Sequence, residues 1–358
     1  MTQERPDQLA TDLFQRLPLT PDVHVAKFEL VRDAALLIDF NQNAYRAASF
    51  LDDRIQTPAT RGAWVRIAGL IQQSSQVRDE RPLKFIFHTG HVGSTLVSRL
   101  LDDTGNILSL REPLPLRQLA NAHDALANLT SWMSRTQFDD LLESFVRYWG
   151  RGYPTTRAVV VKATSVTGRL APTIFAKRDT ARGIYMNLRA EPYLATLLGG
   201  ANSHVDLRGH AVERMTRLQA LGATDLTPLH RLSIGELAAM SWLAETWSQR
   251  KALDLHGERI VAVDFDAFLA DVPAEMERIA QHFGLPVDGQ FLSAVARSPA
   301  LTRYSKAPEH AYSPALRGEI LTESRDLNKE EIRKGLAWLD FAGTSNPAAG
   351  AVIAKANS

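Results

Sequence analysis

The chain has 358 residues, with 41 basic and 40 acidic side chains and a formal net charge of +1. At about 150 residues per domain, this length fits two domains or one large α/β domain; 45% hydrophobic residues supply a sizeable core. Near-neutrality excludes the broad positive field that nucleic acid or an anionic membrane selects but leaves room for a local anion site, and the absence of cysteine removes disulfides, thiolate metal centres and cysteine nucleophiles together.

The first residues, MTQERPDQLATDLF, carry Glu4, Asp7 and Asp12 and no apolar run, so no signal peptide is expected. No apolar stretch approaches the ~18 residues of a membrane helix, and a cytoplasmic protein is the expectation. Residues 1–75 read as an N-terminal α+β segment: two short apolar runs, VHVAKFEL (23–30) and AALLIDF (34–40), precede a mixed helical stretch ending near Gln73. The charged, proline-terminated QVRDERP (76–82) reads as a linker into a second unit, 76–343. There the pattern turns to short strand-like runs separated by helical ones. LKFIFH (83–88), Asn106–Leu110, AVVVK (158–162), GIYMNL (183–188) and RIVAVDF (259–265) predict strands. STLVSRLLDD (94–103) and residues 233–255 predict helices, and Asp271, Pro273 and Gly284 bracket a third. Strands alternating with helices imply a parallel sheet covered on both faces. The small, polar tail at 344–358 is expected to be disordered.

The most informative stretch is FIFHTGHVGSTLVSRLL (85–101), a strand running into a glycine-containing turn that opens a helix. Gly90 and Gly93 let backbone amides converge on an oxyanion, and Ser94 and Thr95 add hydroxyls where the helix dipole favours negative charge. The same turn also suits an ordinary capped βα connection. Against the ATP/GTP pattern GxxxxGK[ST], aligned on Gly93, His88 replaces the first glycine and Ser94 the lysine. That demotes a kinase-like, metal-dependent nucleotide enzyme to an alternative, beside a non-catalytic nucleotide-binding protein. No HExxH or other metal spacing occurs, and no GxSxG elbow, so no metal site is assigned.

The strand–GxxGST–helix pattern resembles the 5′-phosphosulfate loop of sulfotransferases that use 3′-phosphoadenosine 5′-phosphosulfate (PAPS), especially the bacterial branch. Three further stretches are similar to that family in order and spacing: AVVVKATSVTGRLAPTIF (158–175), ARGIYMNLRAEPYLATLL (181–198) and RIVAVDFDAFLADVPAEMERIAQHFGLPV (259–287). The resemblance covers about 83–340 and makes 76–343 a sulfotransferase-like domain. It implies a P-loop-type three-layer sandwich with a central parallel sheet flanked by helices. It further implies transfer of a sulfuryl group from PAPS, without a metal, to a hydroxyl or amine of a small molecule or glycan; a homodimer is compatible with it.

In that reading Gly90, His91, Val92, Gly93, Ser94 and Thr95 cradle the 5′-phosphosulfate, Arg189 holds the 3′-phosphate and Thr196 is the nearest hydroxyl beyond it. Lys162, ending a run of valines, offsets charge on the transferred group, and Glu112 takes the acceptor's proton, with burial expected to raise its pKa. The main departure is His91, where the family has Lys or Arg. Histidine there is only partly charged near neutral pH and is a second candidate acid or base. His88 reads as structural, RKG (333–335) as a helix-face charge pair, and TRYSKAPEHAYS (302–313) as a lid bringing Lys306 or His310 near the cofactor.

Overall fold

In a computed structural model, which describes residues 6–200, 202–306 and 309–357, eight strands form two sheets. The acidic start through Glu4, part of the 302–313 stretch and Ser358 lie outside the described residues. The two N-terminal apolar runs become β1 (Val23–Glu29) and β2 (Ala34–Asp39). With β3 (Gly62–Arg66) they make an antiparallel sheet in the order β1-β2-β3. The mixed stretch after them is therefore part strand, with helices at Gln42–Ala47 and Ile67–Ser74 on either side of β3.

The central sheet holds β4 (Leu83–His88), β5 (Ile107–Arg111), β6 (Ala158–Lys162), β7 (Arg182–Asn187) and β8 (Ile260–Asp264). All neighbours are parallel, in the order β5-β6-β4-β7-β8. Alternation assigns the two faces. Ile86, Val160, Ile184 and Val263 join the core beneath helices Ser94–Asp102, Ala190–Leu198 and Ile234–His256. Phe85, Phe87, Val159, Val161 and Tyr185 join the core beneath Leu114–Ala125, Arg135–Trp149 and Ala171–Lys177. The architecture is the three-layer α/β sandwich expected, with both faces of the parallel sheet covered.

Leu13, Val25 and Leu37 of the N-terminal segment lie in the same cluster of buried side chains as Phe85 and Val159. Buried arginines fasten it. Arg151 Nη2 donates to the Val23 carbonyl at 3.0 Å and Nη1 to that of Thr20 at 2.6 Å. Arg111, 1% exposed, donates to the carbonyls of Tyr45 and Ala48 at 2.8 Å and pairs with Asp102 at 2.5 Å. Leu51 completes the join: its amide donates to the Arg111 carbonyl at 2.7 Å, and its carbonyl accepts from Leu114 at 2.9 Å. The β5 edge of the sheet is thus covered by chain from the N-terminal segment.

The tail is not disordered, contrary to expectation. Pro347–Asn357 is a helix whose Ala349 and Val352 are buried, and Asn357 Oδ1 accepts from the Ala190 amide at 3.1 Å. Its small apolar residues pack because helices Ile234–His256 and Lys329–Ser345 leave a matching groove. Deleting 347–358 is expected to lower the unfolding free energy by about 2–3 kcal/mol, the burial of Val352, Ala349 and their neighbours. A denaturant midpoint that does not move would refute this packing role.

Candidate active site

β4 and β6 are adjacent, yet the chain leaves β4 toward β5 and leaves β6 toward β7, in opposite directions across the sheet. The carboxyl ends of such strands open a crevice. His88, Lys162 and, one strand over, Glu112 stand at that end. The loop after β4 is fastened from below. His88 Nε2 donates to the Ala163 carbonyl at 2.8 Å and its Nδ1 accepts from the Gly90 amide at 3.1 Å, which fixes a neutral ring. Burial and the Lys162 and Lys306 charges hold its pKa well below the ordinary range. His88 is structural, as expected.

Gly90, His91 and Gly93 all adopt positive φ, at 106°, 55° and 70°. This left-handed path turns successive amides toward one side. Among the described residues the amides of His91, Val92 and Gly93 donate to no protein acceptor. The loop leads directly into the helix Ser94–Asp102, whose first amides are likewise open by helix geometry. The Val92 side chain is buried in the core, so it anchors the loop and leaves only its amide for a ligand. Thr95 Oγ1 and Thr89 Oγ1 are fully buried with no hydrogen-bond partner among the described residues. Buried, unspent hydroxyls and amides at one helix N-terminus are what an oxyanion would satisfy. Phe265 forms the floor: a Cβ at Gly93 would stand 2.7 and 2.8 Å from its ring carbons.

Glu112 and Lys162 form an ion pair, with Lys162 completely buried and the Glu112 side chain 13% exposed. Glu112 lies just past β5, with φ 53° and its amide donating to the Lys162 carbonyl at 2.6 Å. Burial raises its pKa, but Lys162, Lys306 and the Thr164 hydroxyl outweigh burial and hold the carboxyl below its usual range. The expected upward shift is therefore corrected: Glu112 is an ionised carboxylate. Burial pushes Lys162 down to about 8 against the pull of Glu112. Both are charged at neutral pH.

His91 is exposed at the rim of the crevice. Crowding on its other sides and the Lys306 charge still lower its pKa to about 4, against the pull of Asp206 and Glu112. It is a neutral imidazole at pH 7, and the partial charge expected of it is absent. Arg189 stands exposed after β7, at the N-cap of Ala190–Leu198. Its neighbour Glu191 is already held by Arg325 at 2.8 Å, and among the described residues no side chain bonds the Arg189 guanidinium. Thr196 does not offer a donor: its hydroxyl donates to the Pro192 carbonyl at 2.7 Å inside the same helix. Pro192 leaves Thr196 one helical turn on, where a threonine hydroxyl bonds back to the i−4 carbonyl.

Sequence reasoning did not single out Thr89, Arg99 or Tyr193. The Tyr193 hydroxyl lies 3.4 Å from where a Gly90 Cβ would be and bonds Ser241 at 3.1 Å, backing the loop. The repeated small polar residues of HTGHVGST were the available signal for Thr89. Arg333 and Lys334 pair with Glu330 and Glu331 at 2.6 and 2.8 Å, so RKG is a helix-face charge pair. Among the described residues no group of three or more His, Cys, Asp or Glu is placed to hold a metal, and no helix is long and apolar enough to cross a membrane.

No protein-family model matches the chain, and no curated protein sequence does. Solved structures do. The chain is similar to the sulfotransferase STF9 from Mycobacterium avium at 14% identity and TM-score 0.41, covering 89% of this chain and 96% of that one. It is similar to the sulfotransferase domain from the curacin biosynthetic pathway at 16% identity and TM-score 0.38, covering 74% of this chain and 99% of that one. A third is mouse sulfotransferase SULT7A1 complexed with PAP, at 10% identity and TM-score 0.37, covering 77% and 88%.

Proposed function

We propose that this chain is a PAPS-dependent sulfotransferase acting on a hydroxyl of a small molecule or glycan. The observation that carries the reading is the lysine-free loop at 90–95, whose open amides and unspent Thr95 hydroxyl meet the Glu112–Lys162 pair in one crevice. A phosphosulfate would sit on the loop and Arg189 would take a second phosphate as a bidentate partner. The acceptor oxygen forms a bond to sulfur as the bond from sulfur to the phosphate oxygen breaks. The acceptor proton passes to the Glu112 carboxylate, and the electron pair leaves on the phosphate, where Lys162 and the loop amides stabilise it. Positioning and charge stabilisation do most of the work in such displacements. Asp206 stands near His91, His210 lies 3.7 Å from Asp206, and Arg117 is near His210, which gives the acceptor side a polar rim suited to a hydroxylated ligand.

Calorimetry with 3′-phosphoadenosine 5′-phosphate against Mg·ATP tests this. Binding of the first with sulfuryl transfer from PAPS supports it; binding of Mg·ATP alone would overturn it in favour of a kinase-like enzyme.

The lowered pKa of Lys162 adds a pH dependence. Above pH 8 the ammonium loses its proton, so affinity for 3′-phosphoadenosine 5′-phosphate is expected to fall across pH 8–9.5 in the wild type and stay flat in Lys162→Met. An identical fall in both would remove Lys162 from the site. Stability runs the other way for this group. Between about 8 and 10.5 the unfolded chain holds a proton that the folded chain has lost, so its contribution to the fold rises with pH.

A further inference from the structure

The loop lacks the cation that its geometry calls for, and His91 in that place is neutral. The helix that the loop opens carries Arg99 on its second turn. Arg99 Nε donates to the carbonyl of Ser305 at 2.7 Å, and its Nη2 to Ser49 Oγ at 2.8 Å. Residues on either side of Ser305 fold back on one another: the Tyr304 amide donates to the His310 carbonyl at 2.9 Å, and the Tyr312 amide to that of Thr302 at 3.0 Å. At the base, the Ser298 hydroxyl bonds Asp103. The strap is therefore held to the phosphate-binding helix at its base and just before Lys306.

The geometry puts the loop within reach of Lys306. Arg99 lies five residues after Ser94, a rise of about 7.5 Å along the axis. Lys306 follows Ser305 by one Cα step of ~3.8 Å and carries a four-carbon stem. A lysine pinned there is long enough to reach back to the helix N-terminus. The charges agree: the Lys306 ammonium lowers His88, His91 and Lys162 and helps hold Glu112 ionised, four groups that surround the loop.

We propose that Lys306, held over the loop by the Arg99–Ser305 contact, is the cation that this chain uses in place of the missing loop lysine and that it pairs with the anion bound at 90–95. Arg99 is then a positioning residue acting through Lys306. This rests on the reading of the loop as an anion site, and it places the cation on a strap remote in sequence rather than in the loop.

The test uses the full chain with Lys306→Ala, Lys306→Arg, Arg99→Ala and the double variant. Titration of the His91 ring by NMR needs no substrate. Its pKa is expected to rise in Lys306→Ala and in Arg99→Ala, while burial still holds it below the ordinary range, and to stay low in Lys306→Arg; an unmoved titration in Lys306→Ala overturns the placement. Affinity for 3′-phosphoadenosine 5′-phosphate is expected to fall about 10- to 100-fold in Lys306→Ala, as for one lost charge-assisted hydrogen bond, and to be largely kept in Lys306→Arg. Equal affinity in wild type and Lys306→Ala overturns the role. The double variant is expected to bind no worse than Lys306→Ala, because Arg99 acts through the same contact; fully additive losses overturn that part. Failure of the wild type to bind 3′-phosphoadenosine 5′-phosphate at all would instead overturn the proposed function, while the His91 titration still decides where Lys306 lies.

Discussion

Glu112→Ala is expected to lose about 3–5 kcal/mol of stability at pH 7, because it strands the completely buried Lys162 ammonium without its partner. The loss should shrink as the pH is raised toward 10. There Lys162, already lowered to about 8 and lowered further without the carboxylate, sheds its charge and with it the penalty. Glu112→Ala/Lys162→Met should be less destabilised than the sum of the single variants, since an empty pair leaves no lone charge. In the wild type the carboxylate's own contribution also rises with pH, in an acidic window. It is present above the ordinary 4.5 and is lost as the pH falls through the lower folded value. Sulfuryl transfer should fall by about 10²–10⁴-fold with the proton acceptor gone. Denaturant midpoints at pH 7 and 10 and a PAPS assay read the two effects separately. A destabilisation that is the same at both pH values would show that Lys162 does not carry the penalty. Unchanged transfer in Glu112→Gln would pass the role of base to His91.

The second large effect is Gly93→Ala. Two independent obstacles meet at that position: φ is 70°, which disfavours any Cβ by about 1–2 kcal/mol, and the Cβ would overlap the Phe265 ring. Overpacking of this kind adds about 1–3 kcal/mol. The loop will relieve the clash by moving, which turns the amides of 91–95 off their common focus. The expected outcome is a loss of about 2–5 kcal/mol with phosphonucleotide binding no longer measurable. Gly93→Ala/Phe265→Ala removes the overlap and leaves the backbone term, so binding should return only in part. A Gly93→Ala protein of wild-type midpoint and affinity would mean that the loop does not bind through its backbone.

Much of the fold was legible because local chemistry and tertiary context agreed. AVVVK and LKFIFH are too short and too β-branched or aromatic for helices, and both lie at the sheet's centre, where two buried faces demand such runs. Asp271 caps its helix through the Ala274 amide at 3.1 Å and Gly284 ends it at φ 68°, as their positions predict. The loop was legible for the same reason, since its glycines and hydroxyls sit together in sequence. The failures share a cause. The tail composition predicts disorder only if nothing waits to receive a small apolar face, and the receiving groove is built by distant helices. Arg111 adjoins Glu112 in the chain, but strand alternation sends its side chain the other way, into Asp102 and the N-terminal segment. The charge state of Glu112 depends instead on Lys162, a neighbour set by the pairing of β5 with β6. Thr196 failed for want of one fact, that a threonine four residues after a free carbonyl satisfies itself.

The cover over β5 bears on how the chain is made. An uncovered parallel edge invites a strand from another copy, and such edges are most exposed while a protein is being synthesised. Here the residues that occupy the edge, Tyr45 to Leu51, leave the ribosome before β5 does. Arg111 therefore meets its carbonyl partners as it emerges, and the growing sheet is closed on that side before its centre is complete. Moving those residues to the end of the chain, with every contact of the finished protein kept, would expose the edge throughout synthesis and raise the yield of aggregate over native protein.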